Sequence, residues 1–445
     1  MSLIHIADKF ISHLNSLERM LDYTEIIKEQ YEKDLEKEGD SIFDLMKLVI
    51  DVKKAEVKAD DLESEGLDSE EYMENRNLLE ELSDNENIKF VYNNISVEIN
   101  KDGETEIAIS NSYLNKFFEE QFESDTNYQT DLNQLNNSII ISLVTSFELL
   151  ISDLFKDFIQ NVDQSSFLER KSINYSDLLR IGNIEEARQF LLDQFIEELL
   201  RGSFMNWIEE IEKRMKIKVT NHEVLKQNDD IDYINETFQR RHLLIHNNGE
   251  VNDLYLTKTQ HFTVGGLRKG QKLDNSNEYI EEKIKLFKKV GIILVYLYSS
   301  KVYKNNMDQF FNDFNGLLLS LSKTGCHGAR YIYRTIYDDQ RFDHSSQLIS
   351  RVNYYLSHKL NGEFEEVREE VEKFQVNTLS IEYRMAKHIL LDEIEEAVDS
   401  LISYSNTISD NEFLHVIDWP LIKVIKDNEK VKSFIKSKLK TILSS

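Results

Sequence analysis

The chain has 445 residues, of which 40% are apolar and 30% charged, and its net charge at neutral pH is −28. This length allows two or three domains, each with its own core. The strongly negative charge excludes the class of nucleic-acid-binding proteins that contact the phosphate backbone through a broad basic surface. A single proline and 14 glycines disfavour an all-β sandwich and favour long helices joined by short loops.

Cysteine content and hydropathy bear on the cellular compartment. Cys326 is the only cysteine, which excludes an internal disulfide and is typical of a reducing environment. The start "MSLIHIADKF" lacks the basic residues and long apolar core of a secretion signal, and the most apolar run, Val290 to Tyr298, is too short to span a bilayer. We therefore expect a cytoplasmic protein without membrane segments.

The first 130 residues are predicted to form an α-rich N-terminal domain. Apolar residues recur every three or four positions up to about residue 60, as in amphipathic helices. Between Asp60 and Asn87 there are twelve acids and one base, which predicts a solvated acidic helix or a mobile excursion of the chain.

A small β-hairpin is predicted near residues 95–110. The run "ISVEIN", "KDGE", "TEIAIS" alternates apolar and polar residues on both sides of a turn at Asp102 and Gly103. We expect Val97 and Ile99 to face the apolar residues of the second strand, Ile107 and Ile109.

Residues 131–302 are predicted to form a helical bundle. Its first helix, from Ser138, is apolar nearly all round, as expected for a helix at the centre of a bundle, and Glu148 is its only charge before Ser152. Further helices are predicted at 174–182, 184–200, 203–217, 230–248 and 277–298.

Residues 303–445 are predicted to form an α-solenoid-like domain. A shift of 30 residues places His358 on His388 and the segment 363–367 on 393–397. Helix pairs at such a period resemble tetratricopeptide repeats, loosely matched here. Stacks of this kind usually bind proteins, so we expect a protein partner on these helices.

The predicted helix 230–248 ends in the polar sequence "RRHLLIHNNG". Asp229 or Asp230 is a suitable N-cap, and Gly249 is a suitable left-handed stop. Steps of three and four residues define an inward stripe of Ile231, Ile234, Phe238, Arg241 and Ile245. An arginine on a buried face needs an anion nearby, and Glu148 is the candidate.

Three interpretations of this helix end remain open. Arginine and histidine side chains could cap the last carbonyls and offset the helix dipole. His242 and His246 have the i, i+4 spacing of two zinc ligands, but no further ligand cluster is evident. Alternatively, a histidine could transfer protons while an arginine holds the phosphate of an RNA substrate, which needs neither metal nor cofactor.

The sequence "RRHLLIHNNGEVN" resembles the arginine–polar–x–x–x–histidine signature of HEPN domains, in particular of the bacterial RiboL-PSP-HEPN-like branch. The resemblance covers about residues 131–300 and implies a four-helix-bundle fold that includes many metal-independent endoribonucleases. Arg241 matches the signature arginine, His242 the polar position and His246 the signature histidine. Asn248 stands where family members often have tyrosine.

The resemblance also implies roles for these residues. Arg241 would bind phosphate, His246 would act as general acid or base, and His242, Asn247 and Glu148 would orient them. Arg240 also lies within the spacing that the signature tolerates, so it is an alternative to Arg241. A homodimer with a composite site is implied as well.

The sequence therefore predicts a mainly α protein that acts as a HEPN endoribonuclease, a toxin or antiphage-defence effector that cleaves RNA to 2′,3′-cyclic phosphate and 5′-hydroxyl ends. The alternative is a noncatalytic interaction or nucleotide-sensing protein, which the net charge and the repeat-like end of the chain favour.

Overall fold

A computed structural model describes residues 2–37, 41–61, 76–77, 86–99, 105–163, 172–259, 267–304 and 306–444. The predicted mainly α class is confirmed, since two short strands form the only sheet within these ranges. Most of the acidic segment 60–87 and the hairpin tip at 100–104 lie outside the described residues.

The described part of the N-terminal third consists of helices and the predicted hairpin. Their bounds are α1 Leu3–Lys37, α2 Ser41–Asp61, α3 Glu86–Asn94, β1 Ile95–Ile99, β2 Thr105–Ile109 and α4 Ser112–Asn161. The antiparallel register pairs Val97 with Ile107, as predicted. The expected partnership of Ile99 with Ile109 is wrong, because Ile99 pairs with Thr105.

The chain contacts divide the protein into two compact units. The first unit is Met1–Leu17, Ile140–Asp274 and Glu278–Ser445, and the second is Glu18–Ile139 and Asn275–Asn277. The domain boundaries expected at residues 130 and 302 stay a prediction. The first turns of α1, up to Leu17, belong to the first unit.

The second unit has its own apolar core. Buried residues of α2, such as Met46 and Val49, pack with Val91 of α3, Val97 of β1 and Leu114 of α4. The hairpin therefore contributes one face to a small core, as alternation in its sequence predicts.

The middle segment contains the predicted helices and two short helices that were not predicted, Glu223–Gln227 and Asp253–Lys258. They are α5 Tyr175–Ile181, α6 Ile184–Leu200, α7 Phe204–Met215, α8 Glu223–Gln227, α9 Asp230–His246, α10 Asp253–Lys258 and α11 Asn277–Val302. Side-chain caps explain where two of these helices begin. The Asn183 side chain accepts a hydrogen bond from the N–H of Glu186 at the start of α6. Ser203 and Asn206 form a capping box at the start of α7. A further difference is α4, which begins at Ser112 rather than at Ser138.

Aromatic side chains fill the core of the first unit in this segment. The Phe147 ring of α4 meets the rings of Phe10, Phe238 and Phe287 edge-on, at centroid distances of 6.0, 6.3 and 5.3 Å. These contacts join α1, α4, α9 and α11 around one apolar centre, so the predicted central position of α4 is confirmed.

The rest of the chain is helical. It contains α12 Met307–Lys323, α13 His327–Asp338, α14 His344–Leu360, a 3₁₀ helix Phe364–Glu366, α15 Arg368–Lys373, α16 Ile381–Leu390, α17 Ile394–Ser405, α18 Asp410–Val416, α19 Pro420–Ile425 and α20 Glu429–Ser444. A continuous apolar core runs from Leu348 to Val431.

The 30-residue period of the sequence recurs in the main-chain hydrogen bonds. The carbonyl of His358 in α14 accepts from the N–H of Glu363, and the carbonyl of His388 in α16 accepts from the N–H of Glu393, both at 2.9 Å. A residue with left-handed φ precedes each glutamate. The two helices therefore end in the same turn, 30 residues apart.

One helical segment among the described residues, Asn127–Asn161, is long and apolar enough to cross a membrane, and 61% of its apolar window is buried inside the protein. Helices in the core of a globular protein meet the same criteria, so this segment is weak evidence for a membrane span.

Candidate active site

The C-terminal end of α9 has the predicted glycine stop. Gly249 has φ of 75° and Asn248 has φ of 51°. The N–H groups of Asn247 and Gly249 donate to the carbonyl of Leu243 at 2.8 and 3.1 Å, and the Asn247 side chain donates to the carbonyl of Glu250 at 2.5 Å. The main chain and Asn247 thus close the helix without a side chain of arginine or histidine.

The N-terminal end of α9 differs from the prediction. Asp229 has φ of 51° and its side chain makes no capping hydrogen bond. Asp230 is 4% exposed and forms a 2.7 Å ion pair with Lys289 of α11. The acid at the start of the helix therefore fixes α9 against α11 rather than capping its own N–H groups.

The sequence assigned the wrong arginine to the buried face. Arg240 is 8% exposed, whereas Arg241 is half-buried. Ile231, Ile234 and Phe238 are buried as predicted, but Ile245, the last member of the predicted stripe, is 43% exposed. A second, polar face of α9 is also buried, and a pattern of apolar residues cannot indicate that face.

Arg240 belongs to a buried polar network around Glu236, one turn earlier in α9. Arg240 Nε lies 2.9 Å from Glu236 Oε1, and the hydroxyls of Tyr255 and Tyr279 donate to the two carboxylate oxygens at 2.7 Å. Lys283 Nζ lies 3.9 Å from Oε2. These residues come from α9, α10 and α11, so the network joins three helices.

Charge balance in this network makes Arg240 a structural residue. Burial alone would raise the pKa of Glu236, but Arg240 and the two tyrosine hydroxyls lower the pKa below its ordinary value. The guanidinium also lies over the Tyr279 ring at 3.8 Å and donates to the carbonyl of Asp274. Its charge and hydrogen bonds are therefore engaged inside the protein, which leaves Arg241 as the candidate phosphate ligand.

Arg241 is placed differently. Its Nε is shielded from solvent and has no hydrogen-bond partner among the described residues. Glu148 of α4 lies close enough to feel its charge: burial raises the pKa of the Glu148 carboxyl, and Arg241 partly offsets this rise. The two form no salt bridge, so the predicted partnership is a through-space interaction.

The two histidines of α9 lie on its exposed face. The rings of His242 and His246 are 4.6 Å apart between centroids, at an angle of 50°, which confirms their i, i+4 pairing. Burial lowers the pKa of His242, and the neighbouring charges of His246, Lys258 and Arg241 lower the pKa further. His242 is therefore neutral at pH 7.

Lys258 is a member of this group that the sequence analysis missed. It is the last residue of α10, which follows α9 after a short turn. The N–H of Val251 in this turn donates a hydrogen bond to the carbonyl of Gln271 (2.9 Å), which helps to hold α10 beside α9. A further bridge joins Glu250 to Lys272. The only sequence signal was a lysine in the last turn of a short helix, which carries no information about its neighbours.

The structure thus gathers Arg241, His242, His246 and Lys258 at one end of α9, with Glu148 beside Arg241. We call these four residues the cationic group, after its two permanent cations, Arg241 and Lys258. No third metal ligand accompanies His242 and His246 in the part of the chain that the structure describes, so the zinc interpretation gains no support there. This cationic group can hold an anion and transfer protons.

Comparison of the chain with protein-family models, curated proteins and solved structures finds no match. The resemblance to HEPN domains therefore remains a prediction from the motif residues.

Proposed function

We propose that the chain is a metal-independent endoribonuclease of HEPN type whose active site is the cationic group at the end of α9. The observation that carries this proposal is Arg241, a half-buried guanidinium whose Nε has no partner in the described protein, beside two exposed imidazoles. A buried donor without an acceptor costs about 1–3 kcal/mol, and a phosphate oxygen supplies that acceptor.

The electrostatics of the chain support a site of this kind. With a net charge of −28, the protein has no general attraction for RNA, so binding depends on local cations. Arg241 and Lys258 are permanent cations close to His242, whose pKa is lowered first by burial and further by these neighbouring charges. A phosphodiester placed among these groups gains two opposite charges and a nearby proton acceptor.

The proposed reaction is transesterification. One imidazole of the pair takes the proton of a ribose 2′-hydroxyl, whose oxygen bonds to the adjacent phosphorus while the bond from phosphorus to the 5′-oxygen breaks. The other imidazole, protonated, gives its proton to the leaving 5′-oxygen, so the products are a 2′,3′-cyclic phosphate and a 5′-hydroxyl. General acid–base catalysis of this kind contributes about 10²–10⁴-fold.

The remaining residues have supporting roles in this proposal. Arg241 stabilises the charge that develops on the phosphate oxygens, and Lys258 adds a second positive charge. Glu148 orients Arg241 electrostatically, and Asn247 holds the turn after His246 through its bond to Glu250. Arg240 acts indirectly, by fixing α9 to its neighbours.

A homodimer and a cytoplasmic location complete the proposal, with a role as a toxin or antiphage-defence effector. Ile245 on α9 and Leu254 on α10 are apolar side chains that are 43% and 50% exposed near the cationic group. A second copy placed on this face would cover them and bring a second set of histidines to the first.

A noncatalytic interaction protein is the second candidate function. A cavity of about 390 Å³ lies among the C-terminal helices, lined in part by Asn353, Glu382, Tyr383, Tyr404 and Trp419. Its aromatic and polar lining could receive side chains of a protein partner. In that case the cationic group of α9 would be inert.

The test is RNA cleavage by purified protein in EDTA. We expect wild-type protein to cleave total RNA or tRNA, and Arg241→Ala and His246→Ala to lose at least about 100-fold in rate. Matched controls are Arg180→Ala and His415→Ala, which replace exposed residues on other helices and should cleave like wild type. Intact RNA with wild-type protein, or equal cleavage by all variants, would favour the noncatalytic alternative.

A further inference from the structure

A second group of potential ligand side chains lies at the turn after α14. His358 is in the last turn of that helix, Glu363 follows the turn, and Glu366 ends the 3₁₀ helix. His358 Nδ1 lies 3.5 Å from Glu366 Oε2 and 4.0 Å from Glu363 Oε2. One atom from each residue therefore falls within 4.8 Å of the others.

The imidazole of His358 is buried and unsatisfied. Its residue is 4% exposed, and neither Nδ1 nor Nε2 has a hydrogen-bond partner within the described chain. The ring of Tyr354 packs against it edge-on at 4.7 Å between centroids, which fixes the direction of the imidazole. Buried polar side chains nearly always have a partner, so this one points to a missing ligand.

The second copy of the repeat provides an internal comparison. There, His388 Nδ1 and Glu393 Oε2 are 2.6 Å apart and satisfy each other directly. At the first copy the corresponding glutamate, Glu363, is instead held by Arg330, which bonds its Oε2 through Nη1 and Ser357 through Nε. The imidazole of His358 therefore lies 3.5 and 4.0 Å from two carboxylate oxygens without a hydrogen bond to either.

We propose that His358, Glu363 and Glu366 bind a divalent transition-metal ion, with Zn²⁺ as the best fit. Zn–N and Zn–O bonds of about 2.0–2.1 Å in a tetrahedron place ligand atoms roughly 3.3 Å apart, close to the 3.5 Å and 4.0 Å separations. One imidazole and two carboxylates are a ligand set that suits zinc better than Mg²⁺ or Ca²⁺, which take oxygen ligands.

The surroundings suit an ion that enters from solvent and keeps one open position. The Glu366 side chain is 66% exposed, so an ion could reach the site from solvent past this ligand. Arg330 holds the carboxylate of Glu363 in place, as groups around metal ligands commonly do. Nothing in this site depends on the nuclease proposal, which concerns α9.

The ion would clamp the turn after α14. It would tie the end of that helix to the 3₁₀ helix, in a position where the second repeat has a direct histidine–glutamate bond. Binding to the folded state alone raises apparent stability with metal concentration. The consequence is a zinc-dependent melting temperature for the full chain.

The test uses the full-length protein, stripped with a chelator and titrated with Zn²⁺ by calorimetry, with Co²⁺ absorption as a second readout. We expect one Zn²⁺ per chain, a higher melting temperature with zinc, and visible Co²⁺ bands of a four-coordinate site. Glu366→Gln, at an exposed position that does not threaten folding, and His358→Ala should each weaken Zn²⁺ binding at least about tenfold.

Two controls locate the ion. His388→Ala alters the equivalent histidine of the second repeat, and the double variant His242→Ala/His246→Ala removes the paired histidines of α9; both should still bind one Zn²⁺. Equal uptake by wild type, Glu366→Gln and His358→Ala would overturn the proposal, as would zinc uptake that is lost only in the α9 double variant. Absence of zinc binding by folded wild-type protein would also overturn it.

Discussion

At the scale of single residues, the two adjacent arginines of α9 have opposite environments. The apolar stripe placed Arg241 inside, but the buried position is that of Arg240, which pairs with Glu236 at i, i+4. That spacing was present in the sequence and would have favoured Arg240 as the structural residue. The convergence of Arg241 with Lys258 and Glu148 could not be predicted, because it depends on contacts between distant parts of the chain.

The arginine pair gives a matched stability experiment. Arg240→Ala leaves the Glu236 carboxylate buried without its guanidinium partner and should lower the free energy of unfolding by about 3–5 kcal/mol. Arg241→Ala removes a half-buried side chain whose Nε has no acceptor and should not lower it by more than about 1 kcal/mol. Urea denaturation measures both values, and a larger loss for Arg241→Ala would contradict the environments described here.

The pKa of His242 gives a prediction about pH. Its folded-state pKa is lowered from 6.5, so the unfolded chain binds the proton more readily; the contribution of His242 to stability is present above pH 6.5 and is lost as pH falls from there through the folded-state pKa. Lys258→Ala removes one of the charges that lower this pKa. Histidine NMR titration should show a higher pKa for His242 in that variant and no change in Lys218→Ala, and an unchanged value in Lys258→Ala would place Lys258 away from the site.

At the scale of elements, helix positions follow from apolar periodicity, and helix ends follow from local capping. The predicted helices 184–200 and 230–248 are found at Ile184–Leu200 and Asp230–His246, with Gly249 as the predicted stop. The start of α4 at Ser112 was missed, although Leu114, Phe117, Phe118 and Phe122 recur there at spacings of three and four residues, as in a helix. Registers and helix contacts depend on tertiary packing, which is why one strand pair was predicted incorrectly.

Gly291 of α11 lies where the core of the first unit is packed too closely for a side chain. A Cβ at this position would overlap the Phe10 ring and lie 3.2 Å from Leu150 Cδ2. We expect Gly291→Ala to lower the free energy of unfolding by about 1–3 kcal/mol, because the core has no room for another carbon.

Gly316→Ala is the control for this substitution, because nothing lies within 4 Å of its added Cβ. It should be neutral or slightly stabilising, since alanine favours a helix. Urea denaturation of both variants tests the packing of α1 on α11, and equal stability of the two would contradict it.

At the scale of the whole molecule, a strongly acidic protein is proposed to bind RNA through a small cationic site. Such binding should depend weakly on salt. For Arg241 and Lys258 as the two permanent cations, the slope of log affinity against log salt is about −1.4 for single-stranded RNA. Fluorescence anisotropy with the His246→Ala variant measures this slope, and a value steeper than about −4 would indicate an extended basic surface elsewhere.

The chemistry of the cleaved RNA ends tests the proposed nuclease activity most directly. Mass spectrometry of a defined RNA incubated in EDTA with wild-type protein should find 2′,3′-cyclic phosphate and 5′-hydroxyl ends, which disappear with Arg241→Ala and His246→Ala. Circular dichroism confirms that each protein stays folded under the same conditions. Products with 5′-phosphate ends, RNA that stays intact with folded wild-type protein, or cyclic phosphate ends formed equally by Arg241→Ala would contradict the account.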